Sequence, residues 1–73
     1  MAGRFGRGSR VEWSWGPGTG SGRVDAVFTD RVTRTIKGKE ITRNASPEEP
    51  AYLIVQDDGD RVLKSESELR KES

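Results

Sequence analysis

The chain contains no cysteine and no histidine, and its 73 residues include few aromatic side chains. Without cysteine it can form neither a disulfide nor a zinc site built on thiolates. Histidine and cysteine are also the side chains that most often act as general base or nucleophile near neutral pH. We therefore expect no enzymatic activity and no cofactor.

Long hydrophobic runs are also missing. No segment approaches the roughly 18 apolar residues that span a bilayer, and the N-terminus lacks the apolar core of a secretory signal. The sequence predicts a soluble, cytoplasmic protein without membrane contact. Hydrophobic residues make up 30% of the chain and charged residues 34%. One small domain is the upper limit, with a net stability of roughly 3 to 5 kcal/mol.

The net charge of +1 hides an asymmetry along the chain. Residues 1–10 contain three arginines and no acid, and residues 23–43 carry six basic and three acidic side chains. From residue 44 onward, eight acids outnumber four bases. This asymmetry could place a positive face opposite a negative one, or let strands of the two halves pair through complementary charges. For any single residue, a mixed, solvated surface explains the charge more simply.

The N-terminal half predicts an arm, a strand, a loop and a second strand. Residues 1–9 are rich in glycine and arginine and predict a flexible arm. Alternating apolar residues predict strands over residues 11–15 and 23–28. The four glycines and one proline of residues 16–22 predict a loop between these strands. This loop lacks the lysine and hydroxyl pair of a P-loop.

The C-terminal half predicts two hairpins and a helical turn. Residues 32–43 favour strands on both sides of Gly38, and residues 44–50 form a proline-containing loop. Asp58-Gly59 predicts a two-residue hairpin that places Val55 opposite Val62, with apolar residues on both sides. Ser65 and Glu68 have the spacing of a capping box, which predicts one helical turn, and residues 72–73 are expected to fray.

Together these elements describe an all-β fold, a small five-stranded SH3-like (Tudor-like) barrel over residues 10–71 with a short C-terminal helical turn. The order of the blocks resembles the hypervirulence-associated TUDOR-domain family of small bacterial and fungal proteins. The resemblance covers residues 11 to about 71 and is carried by VEWSW, GRVDAVFTD, TRTIKGKEITR, AYLIVQDDGD and RVLKSESELRK. It implies a Tudor-like binding module with no established reaction.

A basic segment, residues 31–43, and two aromatic residues, Trp15 and Tyr52, predict a nucleic-acid site. Clustered cations neutralise phosphates, and exposed aromatic rings stack bases. The candidate residues are Trp15, Arg23, Arg31, Arg34, Lys37, Lys39, Arg43 and Tyr52. Against this interpretation, the isoelectric point of 8.1 is below that of most dedicated nucleic-acid binders.

Three other interpretations use the same regions. SH3-like barrels bind extended peptides in aromatic grooves or along a strand edge, so Trp15 and Tyr52 could also serve a peptide. The aromatics Trp13, Trp15, Phe28 and Tyr52 could form a cage for a methylated cation, with Asp25, Asp57 or Asp60 beside it, although core packing explains them equally well. The acids of residues 57–60 fit a tight hairpin rather than a calcium loop, so no metal is expected. The oligomeric state is not predicted.

Overall fold

The computed structural model describes residues 5–72, which form seven antiparallel strands and one 3-10 turn. Five strands form one sheet in the order β6-β5-β2-β1-β7, and β3 pairs with β4 in a separate two-stranded sheet. The turn, Glu66–Glu68, lies between β6 and β7. The strands are β1 Arg10–Trp15, β2 Gly18–Phe28, β3 Val32–Ile36, β4 Lys39–Arg43, β5 Ala51–Gln56, β6 Arg61–Ser65 and β7 Arg70–Lys71.

The predicted all-β fold with a C-terminal helical turn is confirmed, but the sheets are not closed into a barrel. Within residues 5–72, no backbone hydrogen bond connects the β3–β4 hairpin to the five-stranded sheet. The hairpin is attached by side chains instead, because Val32 packs with Ala51 and Leu63 in a small hydrophobic cluster. The structure has seven strands rather than the five expected of the barrel, and β7, which pairs with β1 at the C-terminus, is the strand that the sequence does not predict.

The glycine-rich segment belongs largely to β2 and is not the predicted loop. The chain turns at Gly16 and Pro17, and β2 begins at Gly18. Trp13 pairs with Gly20 across the two strands. A Cβ on Gly20 would lie 2.6 Å from Trp13 Cε2, so only glycine leaves room for this indole. A bulky aromatic that covers a cross-strand glycine stabilises a strand that glycine alone would weaken.

The β5–β6 hairpin has a three-residue loop rather than the predicted two-residue loop. Val55 lies opposite Arg61, so the predicted pairing of Val55 with Val62 is wrong by one residue. The loop begins at Asp57 and ends at Gly59, which has φ +90°. A type I turn followed by a left-handed glycine has this geometry. Apolar residues do lie on both faces of β5, as the sequence predicts: Ile54 is in the main core and Ala51 is in the small cluster.

The tip of the β3–β4 hairpin is at Lys37 and Gly38, as predicted. Their φ angles are +52° and +77°, and Ile36 pairs directly with Lys39. Positive φ at both central residues is the signature of a type I′ turn, whose twist matches that of the flanking strands. Gly38 accommodates this conformation easily, whereas Lys37 adopts it against its side-chain preference.

The chain continues beyond the helical turn into the main sheet. Glu68 accepts the backbone N–H of Ser65 at 2.7 Å, which is the carboxylate half of the predicted capping box. Leu69 is buried in the main core. Arg70 and Lys71 then pair with β1 as β7, so the turn is followed by an ordered strand. Of the tail predicted to fray, Ser73 lies outside the described residues.

Of the predicted arm, residues 1–4 lie outside the described residues, and residues 5–9 contact the sheet. Phe5 is buried, and its ring packs edge-on against Tyr52 with centroids 5.6 Å apart. The N–H of Gly8 donates to the carbonyl of Val24, and the N–H of Val24 donates to the carbonyl of Ser9. The described part of the arm therefore covers one end of the main core, a contact that the sequence does not predict.

Candidate functional site

A groove runs between the β3–β4 hairpin and β6, with a volume of about 310 Å³. We call it the hairpin groove. Its floor is apolar and contains Ile36, Ile41 and Val62, which are half-buried. Five cationic residues and a single acid, Asp60, also line it. The cations are Lys37, Lys39, Arg43, Arg61 and Lys64.

The alternation of the hairpin strands places cations and apolar residues on one face. Ile36 pairs with Lys39, and Arg34 pairs with Ile41, so these side chains share the face that packs towards β6. The opposite face carries three threonines and one acid, Thr33, Thr35, Glu40 and Thr42. On that face the hydroxyls of Thr33 and Thr42 lie 2.9 Å apart. The hairpin therefore directs its positive charge into the groove.

Some of the groove cations are paired with acids. Lys37 Nζ lies 2.7 Å from Asp60 Oδ2, a contact that joins the two hairpin turns. The hydrogen bond to Asp60 and the charge of that carboxylate raise the pKa of Lys37. Lys39 and Arg61 form no ion pair within residues 5–72. These two side chains are exposed and are available to an anionic ligand.

Glu68 binds the two cations at the other end of the groove. Its carboxylate lies 3.2 Å from Arg43 Nε and 3.8 Å from Lys64 Nζ. Partial burial opposes ionisation of Glu68, but the Ser65 N–H, Arg43 and Lys64 together outweigh it and lower the pKa of this carboxyl. Glu68 therefore holds Arg43 and Lys64 in position and reduces their net charge.

The remaining predicted cations lie outside the hairpin groove. Arg34 stacks its guanidinium over Phe28, 4.7 Å from the ring centroid. Arg31 is exposed in the link between β2 and β3, and Arg23 is exposed on β2. The structure thus brings together Lys37, Lys39 and Arg43 and separates them from the other three arginines.

Trp15 is the large hydrophobic side chain most exposed to solvent in the described chain, at 56%. Its ring lies over Gly18, where a Cβ would come within 2.8 Å of Trp15 Cζ2. Trp15 lines a second concavity with residues 19–21 of β2 and with Gln56, Asp57 and Asp58 of the β5–β6 hairpin. Gln56 also lines the hairpin groove, so the two depressions are adjacent.

Tyr52 is fully buried, which excludes the predicted role in stacking a base or lining a peptide groove. Its hydroxyl donates to Glu66 Oε1 at 2.8 Å, and its ring belongs to the main core. The aromatic cage for a methylated cation does not form from the aromatic residues in the described part of the chain. Trp13 is only 3% exposed, and Arg34 covers the ring of Phe28. A dense apolar run in a central strand indicates burial more strongly than it indicates function.

Sequence reasoning missed Arg61, Lys64 and Gln56 as groove residues. Arg61 and Lys64 fall in the acidic half of the chain, whose negative net charge gave no indication of a basic site there. The available signal was their position on β6, the strand that faces the hairpin. The structure also shows no group of three potential metal ligands within residues 5–72. In that part of the chain, no helix has the length and apolar character needed to cross a membrane.

The family model for the TUDOR domain of hypervirulence associated proteins matches residues 8–69. The chain belongs to this family. The resemblance noted in the sequence is therefore confirmed, and the match covers strands β1 to β6 and the 3-10 turn. Domains of the Tudor type are typically binding modules rather than catalysts. Comparisons with curated proteins and with solved structures gave no match.

Proposed function

We propose that this TUDOR-family domain is a non-catalytic, cytoplasmic module that binds nucleic acid in the hairpin groove. The cations of the groove would contact phosphates, and its apolar floor would contact the sugars or bases. Lys39 and Arg61 would make the first phosphate contacts, since neither has an acidic partner within the described chain. Lys37, Arg43 and Lys64 would exchange their carboxylate partners for phosphates.

One observation supports this proposal most strongly: two separate sheets contribute cations to the same groove. Lys39 and Arg43 come from β4, whereas Arg61 and Lys64 come from β6. Cations on a merely solvated surface repel one another and tend to spread apart. Five cations line the groove, and Asp60 and Glu68 pair with three of them, so an excess of positive charge remains to attract a polyanion.

A second candidate function is strand-edge binding of a peptide. The edge of β6 that faces the hairpin forms no backbone hydrogen bond with β3 or β4 in residues 5–72. An extended peptide could pair with such an edge by backbone hydrogen bonds. The aromatic-groove form of this hypothesis loses its support because Tyr52 is buried.

The test is a titration of fluorescently labelled oligonucleotides, single-stranded and duplex, by anisotropy at several salt concentrations. We expect binding at low salt that weakens steeply as salt increases, because the protein displaces counterions from the phosphates. Lys39→Glu should lower the affinity roughly fivefold or more, since it reverses a charge in the groove. Lys71→Glu is the matched control because Lys71 is exposed on β7, at the opposite edge of the sheet from β6. Absence of binding at low salt, or equal losses in both variants, would refute the proposal.

A gain of affinity provides an independent test. Asp60→Asn should free Lys37 from its ion pair and remove the single acid that lines the groove. The variant should bind an oligonucleotide more tightly and with a steeper salt dependence, by about 0.7 in slope for one additional contact to a single strand. Unchanged affinity and slope would show that Lys37 does not contact the phosphates.

A further inference from the structure

We infer that the hairpin groove and Trp15 together select single-stranded over double-stranded nucleic acid. This inference rests on the proposed function and specifies the ligand class. A single strand can present its bases to apolar and aromatic surfaces, whereas a duplex encloses its bases and presents phosphates and sugars on its exterior. The relevant features are the floor of the groove, the outer face of the hairpin and the position of Trp15.

The floor of the groove is suited to bases. Ile36, Ile41 and Val62 are half-buried and lie among the lining cations. Binding through phosphates alone needs charge and no apolar surface. The groove volume of about 310 Å³ is at the small end of ligand sites. It is too small to receive a duplex but can accept part of an unstacked strand.

The hairpin is poorly suited to the groove of a duplex. A two-stranded ribbon can enter the major groove, where it needs donors for base edges and cations for the flanking phosphates. The outer face of this hairpin offers three threonines and Glu40, and its cations point the other way. A duplex that approached this face would meet an acid and no cation from the same face.

Trp15 provides a ring face in the concavity that adjoins the groove. One side of its indole lies against the backbone of Gly18, and the side chain remains 56% exposed. Such a ring is held in place and can stack a base with little further loss of conformational entropy. Gln56 borders both Trp15 and the hairpin groove, so one strand can contact both.

The two acids near Trp15, Asp57 and Asp58, already accept hydrogen bonds from other residues. Arg10 donates two hydrogen bonds to Asp57, at 2.9 and 3.2 Å. Asp58 Oδ1 accepts the backbone N–H of Asp60 at 2.9 Å. Arg10 also pairs with Glu72 at 2.9 Å, so it offsets only part of the Asp57 charge and thereby lowers the repulsion of a phosphate that passes Trp15.

The experiment compares three probes on the full chain at low salt. They are a single strand of about 12 nucleotides, within the range of known single-strand sites, its duplex, and an abasic strand of equal length. We expect the single strand to bind at least tenfold more tightly than either of the other two. The abasic strand retains the phosphates and lacks the bases, so equal binding of that strand would overturn the inference while leaving the proposed function intact. If the duplex bound as tightly as the single strand, the inference would again be overturned and the proposed function would stand. No binding of any probe would refute both the inference and the proposed function.

Trp15→Ala tests the stacking residue. It should lower the affinity for the single strand roughly 5- to 150-fold, the range measured for loss of one stacked base, and leave duplex binding unchanged. Trp15→Phe keeps a ring over Gly18 and should retain part of the affinity. Tryptophan fluorescence should also be quenched by the single strand in the wild type and not in Trp15→Phe, because Trp13 is buried. Undiminished binding by folded Trp15→Ala would contradict the role of this residue.

Discussion

The five-stranded sheet and the β3–β4 hairpin are held in place by different interactions. The sheet has continuous backbone pairing and a core of seven buried side chains. The hairpin is attached by Val32, Ala51 and Leu63 and by half-buried residues around them. Residues 5–72 contain no backbone hydrogen bond between the two regions.

This difference assigns separate tasks to the two regions. The sheet supplies most of the stability, whereas the hairpin supplies a charged surface whose inner face is only partly covered. Elements with few buried contacts open more readily than the core that supports them. A weakly attached hairpin next to an unpaired strand edge can adjust to a ligand while the sheet keeps its structure.

The largest expected effect is the loss of Trp13. Trp13→Ala should cost about 3 to 5 kcal/mol, because it leaves a cavity in the main core. That cost is as large as the stability expected of a domain of this size, so the variant should be largely unfolded. Urea denaturation followed by circular dichroism measures the free energy of unfolding. The matched control is Trp15→Ala, an exposed tryptophan on the same strand, which should stay folded. Equal losses would contradict the distinction between a core tryptophan and a surface tryptophan.

Gly20→Ala should have the next largest effect. Its Cβ would lie within 2.7 Å of the Trp13 indole, so this ring must move. Overpacking of this kind typically costs about 1 to 3 kcal/mol. Gly6→Ala serves as control, since nothing lies within 4 Å of a Cβ at Gly6. Thermal unfolding of the two variants measures the difference. If Gly20→Ala were as stable as Gly6→Ala, Trp13 would have another place to pack.

Ile41→Ala should weaken the attachment of the hairpin. Because Ile41 is half-buried beside the small cluster, we expect a cost of about 1 to 2 kcal/mol. Amide hydrogen exchange should become faster in β3 and β4 and remain slow at the centre of the sheet, around Ile54. Uniformly faster exchange would indicate that the hairpin and the sheet unfold as one unit.

The smallest expected effect is the dependence of stability on acid pH. The pKa of Glu68 is lowered in the folded protein, and Arg10 lowers that of Asp57 through hydrogen bonds and its charge. A carboxyl with a lowered folded pKa stabilises the protein above its unfolded pKa, and this contribution is lost as the pH falls through the folded value. The melting temperature should therefore decrease between about pH 5 and pH 3. Glu68→Gln should make this decrease shallower, and an identical pH profile would contradict the role given to Glu68.

Local chemistry made much of the fold predictable. Alternation identified β1 and the second half of β2, residues 23–28, and Gly38 marked the tip of a hairpin whose strands were correctly expected. The spacing of Ser65 and Glu68 predicted the helical turn. Each of these features depends on residues close in sequence, so short-range preferences determine it.

Features that depend on long-range contacts were not predictable in the same way. Whether Gly18 and Gly20 form a loop or a strand depends on Trp15 and Trp13, which cover them from β1. Gly22 depends instead on its contacts with Ile54 and Val55 of β5. The burial of Tyr52 depends on Phe5, 47 positions earlier, and on Glu66. The open arrangement of the two sheets depends on how far the hairpin lies from β6, which no local pattern specifies.

The candidate site was predictable in part. The basic segment contains Lys37, Lys39 and Arg43, which the structure brings together in the hairpin groove. The alternation of Val32, Arg34 and Ile36 already contained the information that cations and apolar residues share a face. Arg61 and Lys64 join them only through tertiary structure, since more than 20 positions separate Lys39 from Arg61.

The most direct test of the hairpin groove is an NMR titration of the isotopically labelled protein with a short single-stranded oligonucleotide at low salt. Our account predicts the largest amide shift changes in residues 36–43 and 61–64, together with the indole N–H of Trp15. The amides of Arg70 and Lys71, on the far edge of the sheet, should remain unchanged. Shift changes centred on β7, or none at all under these conditions, would contradict the assignment of the groove as the binding surface.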